Sequence, residues 1–521
     1  MREFLCNFNS KHLNKEEFDS LIIGNGLAGL VCAYYASKNP KKRIALITKE
    51  IKERSTSMNA QGGIAVALGK NDSWEKHLKD TVVCGTGLTN KKIAKILVKN
   101  AIKDIKELMA LGLKFDSDER GLEFGKEGMH SVSRILHING DATGAGLVRF
   151  MENLVNKQKN IQIFKKTYAI DILTKNNTAY GILAEIKDYG KKIFYAKDIV
   201  LASGGYASIY QNTTNPKNSL GDGIAMAYRA GAIISDTEFV QFHPTTVKTK
   251  DRNYLISEAV RGEGAILVNE NNERFMLKES RLGELAGRDI VSRAVFDQMQ
   301  NKHTAYLDCT ALGKEFFKER FPSIFNFLKE HGIDPSKDKI KIEPAAHYCI
   351  GGIKVNGKGM TSIKNLYACG ECSCSGINGA NRLPSNSLLG AVVFGKIVGQ
   401  TIANKKTTAI KATTEYDKLK YSQHEDYESK IDKIGKLMWG NVGIKKDAAR
   451  LEKALKEIRL LKKRLKSDNS FGYFKIKNML AVAELTTAMA LSRKESRGTH
   501  YRTDFPKESN KWLMHQTTRL N

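Results

Sequence analysis

Six residues, Gly24-Asn25-Gly26-Leu27-Ala28-Gly29, constrain this chain more than any other segment. They follow the apolar run Ser20-Leu21-Ile22-Ile23 and precede an apolar helical stretch from Leu30 to Ser37. A second predicted strand comes next, Arg43-Ile44-Ala45-Leu46-Ile47-Thr48. Strand, G-x-G-x-x-G turn, helix and strand make a βαβ unit whose first turn suits a pyrophosphate. Gly24 permits the tight turn, Gly26 lets the backbone approach a phosphate, and Gly29 lets helix and strand pack closely. The helix N-terminus then presents its unpaired N–H groups to the anion. An acid is expected about 20 residues on, to hold a ribose hydroxyl. Lys49 stands there with Glu50 beside it, which disfavours NAD.

Two later segments belong to the same nucleotide domain. Lys197-Asp198-Ile199-Val200-Leu201-Ala202-Ser203-Gly204-Gly205 is an apolar strand running into a glycine pair. Asn365-Leu366-Tyr367-Ala368-Cys369-Gly370-Glu371 is another, ending in a glycine and an acid. Three such elements in this order look like a two-dinucleotide-binding flavoprotein. FAD is therefore expected, and no second phosphate loop for a nicotinamide cofactor is present. Residues 237–347 differ in character, with His-Pro, Arg-Gly-Glu-Gly and Gly-Arg-Asp elements. After about Thr408 the chain is lysine-rich, with Leu451, Leu455, Ile458 and Leu465 at helical spacing and an apolar helix from Met479 to Leu491. The expected fold is α/β: a Rossmann-like FAD-binding domain in two parts, 1–236 and 348–407. An α+β capping domain over 237–347 interrupts it, and a C-terminal helical domain over 408–521 follows.

Composition narrows the classes of function. A chain of 521 residues with 41% hydrophobic content can bury large cores, which excludes general disorder. Lys and Arg (84) exceed Asp and Glu (56) by the net charge of +28, a balance that attracts anions. The basic C-terminal helices carry no aromatic-interleaved motif, so no nucleic-acid partner is expected. Eight cysteines, at 6, 32, 84, 309, 349, 369, 372 and 374, do not resemble an extracellular disulfide framework. Cys369, Cys372 and Cys374 lack a fourth cysteine at iron–sulfur spacing, so no metal is expected. The start, Met1-Arg2-Glu3-Phe4-Leu5-Cys6, has no apolar leader, and no run of about 18 apolar residues occurs. The expectation is a cytoplasmic protein with no membrane contact.

Longer motifs carry a family resemblance. Asn59-Ala60-Gln61-Gly62-Gly63-Ile64-Ala65, Gly221-Asp222-Gly223, Gln241-Phe242-His243-Pro244-Thr245, Arg261-Gly262-Glu263-Gly264, Arg288-Asp289 and Asn378-Gly379-Ala380-Asn381-Arg382 resemble motifs of the succinate dehydrogenase/fumarate reductase flavoprotein superfamily. The match runs from about residue 18 to 506. Lys126-Glu127-Gly128-Met129-His130-Ser131 with Arg134-Ile135-Leu136-His137, Pro344-Ala345-Ala346-His347-Tyr348, and Ser385-Asn386-Ser387-Leu388-Leu389 resemble the aspartate-oxidising branch. Met129 and Lys126 depart from that branch's pattern.

The resemblance implies FAD-dependent oxidation of L-aspartate to iminoaspartate, the first step of NAD biosynthesis through quinolinate. Oxygen or fumarate would accept the electrons, and quinolinate synthase would consume the product. A soluble fumarate reductase, or the flavoprotein subunit of a succinate dehydrogenase, is the alternative. A non-catalytic FAD protein that binds nucleic acid is a third reading.

The resemblance also assigns residues. Arg288, Arg382, His243 and His347 would hold two carboxylates, Arg288 chiefly by its charge, because a guanidinium with a pKa above ~12 is a poor base. Glu127 would read the α-amine, and Gln241, Ser257 and Glu258 would also contact substrate. FAD would lie on Asn25, Gly26, Leu27, Ala28, Lys49, Thr56, Ser57, Met58, Asn59, Ala60, Gln61, Gly62, Gly63, Asp222, Glu371, Ser387 and Leu388. Thr56 stands where the membrane-complex relatives attach FAD to a histidine, so the flavin should be non-covalent.

Overall fold

The computed structural model describes residues 4–49, 55–250, 253–406, 412–420 and 426–520. Met1, Arg2, Glu3, Glu50 and the expected border at 407–408 lie outside the described residues.

The nucleotide domain is built on one seven-stranded sheet. Strand β1 (Asn14–Ile23) leads through the glycine turn into helix α1 (Leu27–Ala36), which starts directly after Gly26. β2 (Ile44–Ile47) follows, and then β3 (Ile161–Phe164), β4 (Thr167–Lys175), β5 (Thr178–Ile186) and β6 (Gly190–Leu201). The strand order is β3-β2-β1-β6-β5-β4, parallel from β3 to β6 and antiparallel beyond. β1 extends well upstream of its apolar run because β6 pairs with it from Asn14 to Ile23. β6 stops at Leu201, earlier than the sequence suggests, because Ala202, Ser203 and Gly204 leave the sheet to line a channel.

The rest of the chain returns to this sheet or covers it. Helix α2 (Trp74–Cys84) precedes β3, and α3 (Asp222–Arg229) follows β6. β7 (Val240–Lys248) and β8 (Glu343–Cys349) pair antiparallel in a small second sheet. Between them the chain forms strands and helices, including α4 (Arg288–Gln300), around an apolar core of their own with Val260, Leu267, Val291, Val295, Leu307, Phe317 and Phe321. β9 (Leu366–Ala368) then adds to the main sheet beside β6. Helices α5 (Asn386–Asn404), α6 (Tyr427–Val442), α7 (Ala448–Arg464) and α8 (Phe471–Ser492) complete the chain. This is the α/β, capped and helix-terminated architecture that the sequence suggests. Leu465, expected on the helical face, is the residue that caps α7.

α5, at 19 residues, is long and apolar enough by length and composition to cross a membrane. It is mostly buried inside the protein and packs on α1 at backbone contact. A Cβ at Gly395 would lie 2.8 Å from the Ala28 carbonyl oxygen, and one at Gly399 would lie 2.6 Å from that of Cys32. Its apolar length serves helix packing. The terminal helices share a core with the main sheet: Met438, Leu451, Ile458, Phe474 and Val482 belong to the same apolar cluster as β4, β5 and β6.

Candidate active site

Register places the site. Ile23 at the end of β1 pairs with Ile47 and Leu201, and Leu201 pairs with Ala368, so four parallel strands end level. In open α/β sheets this carboxyl edge is where ligands bind. A channel opens at this edge, lined among others by Asn25, Gly26, Leu27, Ala28, Lys49, Thr56, Ser57, Asn59, Ala60, Asp222, Glu371, Ser387, Leu388 and His347.

The channel suits a dinucleotide. Gly24 has φ +112°, and a Cβ there would meet the Ala202 carbonyl oxygen at 2.2 Å. One at Gly29 would lie 1.9 Å from the Gly24 carbonyl oxygen, so the turn closes with glycine alone. α1 starts after Gly26, which supplies no side-chain cap; Leu27 N–H donates to Ser57 Oγ at 3.3 Å, and Gly26, Leu27 and Ala28 line the channel. Lys49, expected at the ribose, donates to Asp222 Oδ2 at 2.7 Å and to the Asn218 carbonyl oxygen at 2.6 Å. Burial raises the Asp222 carboxyl, but the charge and hydrogen bond of Lys49, with donors from Asn478 and Tyr168, bring it below its usual range. Asn478 lies on α8 and Tyr168 on β4, so α8 holds a residue of the channel wall, Asp222, from behind. Motif reading missed both residues, because neither sits in a loop pattern. Burial pushes the Glu371 carboxyl up to about 7, against a hydrogen bond from the Cys349 N–H.

Four loop residues expected at the flavin are not on the channel wall. Met58 packs on the core beneath α1, and Gln61 is buried. A Cβ at Gly63 would meet the Leu136 carbonyl oxygen at 2.3 Å, while one at Gly62 would lie 3.1 Å from Glu127 Oε1. These glycines let the loop press against Leu136 and Glu127.

Beside the channel lies a buried charged cluster. Arg288, the first residue of α4, donates from Nε to Glu258 Oε2 at 2.5 Å and from Nη1 to Gln241 Oε1 at 3.2 Å. Arg382 donates from Nη2 to the same Gln241 oxygen at 3.0 Å, and its guanidinium lies 4.3 Å from the centre of the Tyr348 ring. Burial, then the neighbouring charge of Arg288, lowers Arg382 to about 10, so it stays charged at neutral pH. Its Nε has no hydrogen-bond partner among the described residues. Glu258 also accepts from the Gly128 N–H at 2.8 Å and lies near Arg261; burial raises its carboxyl, but the two arginines hold it below its usual range. Ser257 caps the short helix that Glu258 opens, accepting from the Ala259 N–H.

Glu127 is 1% exposed and accepts from Ser385 Oγ at 2.5 Å. Burial and then the charge of Glu258 raise its carboxyl, with Arg288 in partial opposition. The two histidines come together through a bulge: Gln241 pairs with Tyr348 and Phe242 with Ala346, leaving His347 unpaired on β8. Its ring then stands 5.2 Å from that of His243. Burial, then Arg288, holds both well below the usual imidazole range, so they act as neutral hydrogen-bonding groups. The Tyr348 stack, Ser385 and Arg261 had no role in the sequence reading beyond motif membership. Cys369, Cys372 and Cys374 are buried, their sulfurs facing the Ala28 carbonyl, the Leu201 carbonyl and Asp236.

A phosphate turn, a channel along the carboxyl edge and a capped cationic cluster define an FAD-dependent oxidoreductase. The family model described as FAD binding domain matches residues 19–388, and that described as fumarate reductase flavoprotein C-term matches 431–521. The chain is 37% identical to the L-aspartate oxidase of Bacillus subtilis, covering 95% of this chain and 92% of that one. It is 39% identical to the L-aspartate oxidase of Saccharolobus solfataricus, covering 94% and 96%. Among solved structures, a quinol fumarate reductase of E. coli superposes with a TM-score of 0.90 at 29% identity, covering 98% of this chain and 95% of that chain. The chain belongs to the L-aspartate oxidase family, within the fumarate reductase and succinate dehydrogenase flavoproteins.

Proposed function

We propose that this chain oxidises L-aspartate to iminoaspartate, with non-covalent FAD as cofactor and oxygen or fumarate as the final acceptor. When bound, FAD supplies the two-electron acceptor. The chain's own residues bind, orient and exclude water. Arg288 and Arg382 each meet a carboxylate, and His243 and His347 add neutral hydrogen bonds. Glu127 faces the α-ammonium and takes up its charge, so that the Cα–H is aimed at the cofactor. Oxidation removes that hydrogen with its electron pair, and an N–H proton leaves as the imine forms. Arg288, paired to Glu258, stabilises the carboxylate beside the reacting carbon.

The observation that carries the reading is the meeting of two buried guanidiniums with one separately held carboxylate, Glu127. Aspartate has the complementary set, two carboxylates and one ammonium. Succinate and fumarate lack the ammonium, yet the likeness to a quinol fumarate reductase keeps dicarboxylate redox chemistry as a second reading. Anaerobic mixing of the holoenzyme with L-aspartate should bleach the flavin, and succinate should not. Bleaching by succinate alone would refute the aspartate reading.

Division at 236/237, 347/348 and 407/408 into cofactor, capping and helical domains belongs to the same proposal. So does a cytoplasmic location, which fits eight free, buried cysteines among the described residues. The unstable imine calls for a prompt consumer, and quinolinate synthase fits that place. No role at a membrane or on nucleic acid is included.

A further inference from the structure

Gln241 is fully buried, and every polar atom of its side chain is engaged by protein. Nε2 donates to Asn381 Oδ1 and to the Arg382 carbonyl oxygen, both at 2.9 Å. Oε1 accepts from Arg288 Nη1 at 3.2 Å and from Arg382 Nη2 at 3.0 Å. A substrate therefore finds no free donor on this residue, although the sequence suggests that it binds one.

We propose that Gln241 is a positioning residue: one neutral amide oxygen ties the two guanidiniums together and sets their spacing for a dicarboxylate. This rests on the dicarboxylate reading above. Arg288 enters from α4 and Arg382 from the segment before α5, so no common element fixes their separation. Two buried like charges repel, and an apolar residue between them would let them swing apart. A carboxylate there would hold them but cancel part of the charge that a dianion needs. A carboxamide holds both and cancels nothing. The register supports this role. Gln241 lies opposite Tyr348, whose ring stacks on Arg382, immediately beside the bulge that sets His347. Burial and then the charge of Arg288 depress Arg382, yet it stays cationic beside a like charge.

The test uses the oxidised holoenzyme and two variants, Gln241→Glu and Gln241→Met. Fumarate binding is followed as a perturbation of the flavin spectrum, since fumarate cannot turn over without a reductant. Gln241→Glu keeps an acceptor for both arginines and should retain FAD. Its fumarate Kd should still rise about ten-fold or more, the scale for an altered charged contact. Its KM for aspartate should rise more than its kcat falls. Gln241→Met should also bind fumarate weakly, with kcat falling as well because the guanidiniums lose their register.

Fumarate affinity within two-fold of wild type in either FAD-loaded variant would overturn the proposal. Loss only in proportion to lost FAD would do the same, as would a wild-type enzyme that binds no dicarboxylate. If Gln241→Met fails to fold, Gln241→Glu decides alone. Wild-type protein that binds fumarate but is not reduced by aspartate would sink the aspartate reading. Gln241 would still be judged by its two variants.

Discussion

Replacing Glu127 by glutamine separates amine recognition from carboxylate recognition. The substitution keeps the size of a side chain that is 1% exposed. Ser385 Oγ, which now donates to Oε2 at 2.5 Å, can rotate to accept from the new amide. What is lost is the charge facing the α-ammonium. A hydrogen bond to a charged group contributes about 1.5–3 kcal/mol, so kcat/KM for aspartate should fall roughly ten- to hundred-fold. Fumarate carries no ammonium, and its carboxylates still meet Arg288 and Arg382. Its reduction should fall far less, or rise, because a neighbouring negative charge has been removed. Burial and Glu258 hold the Glu127 carboxyl above its usual range. Wild-type aspartate activity should therefore drop as pH falls through that raised pKa, and the variant should lose this acid limb. The assay is the ratio of aspartate oxidation to fumarate reduction, per bound flavin, in one preparation across pH. Equal loss of both activities would show that Glu127 supports the fold and does not read the amine.

Other consequences follow from the same geometry. Arg288→Leu or Arg382→Leu should abolish aspartate turnover while FAD stays bound, since truncating one partner of a buried charged contact costs about 2–5 kcal/mol; near-normal kcat/KM in either would remove that residue from the site. Acid precipitation should release all the yellow colour, because Thr56 cannot carry a covalent flavin link, and colour left in the pellet would contradict that. His137 is held at about 3 by burial and then by Arg320. The folded protein therefore cannot take up the proton that the unfolded chain binds below about pH 6.5. That group's stabilising effect is complete above pH 6.5 and is lost progressively down toward its folded pKa. Compared with wild type, His137→Gln should gain about 1.4 kcal/mol in stability between pH 7.5 and 5.5, read from denaturant midpoints at the two pH values. A difference independent of pH would show that His137 titrates in the native state as it does in the unfolded chain.

Much of the nucleotide-binding turn is legible in the sequence. The glycine turn at Gly24–Gly29 has few physical solutions once an apolar strand precedes it and an apolar helix follows. Leu201–Gly204 and Ala368–Glu371 carry the same strand-to-loop signal. These are local statements, and local sterics enforce them: Gly24 and Gly29 admit no side chain. The loop residues Met58, Gln61, Gly62 and Gly63 were harder, because a motif does not say which of its members face a ligand. Their motif serves both the channel wall and the packing against Leu136 and Glu127. Asn478 was invisible for a related reason. It is an ordinary polar residue in an apolar helix until α8 folds back against α3 and brings its amide 2.9 Å from Asp222.

Residue types and their spacing therefore settled the class of fold, the cofactor and the roster of charged groups. Tertiary structure alone decided how those groups are charged and who holds them. Glu127 and Glu258 are both buried glutamates, yet one carboxyl is raised and the other lowered. Glu258 accepts from Arg288 at 2.5 Å, whereas Glu127 has a serine hydroxyl for its hydrogen bond and a neighbouring negative charge. Gln241 likewise reads as a substrate ligand in its motif and becomes a clamp once both arginines arrive from distant parts of the chain. Charge state depends on burial and on neighbours within a few ångströms, and chain folding brings some of them, such as Ser385 and Glu258 beside Glu127, from more than a hundred residues away.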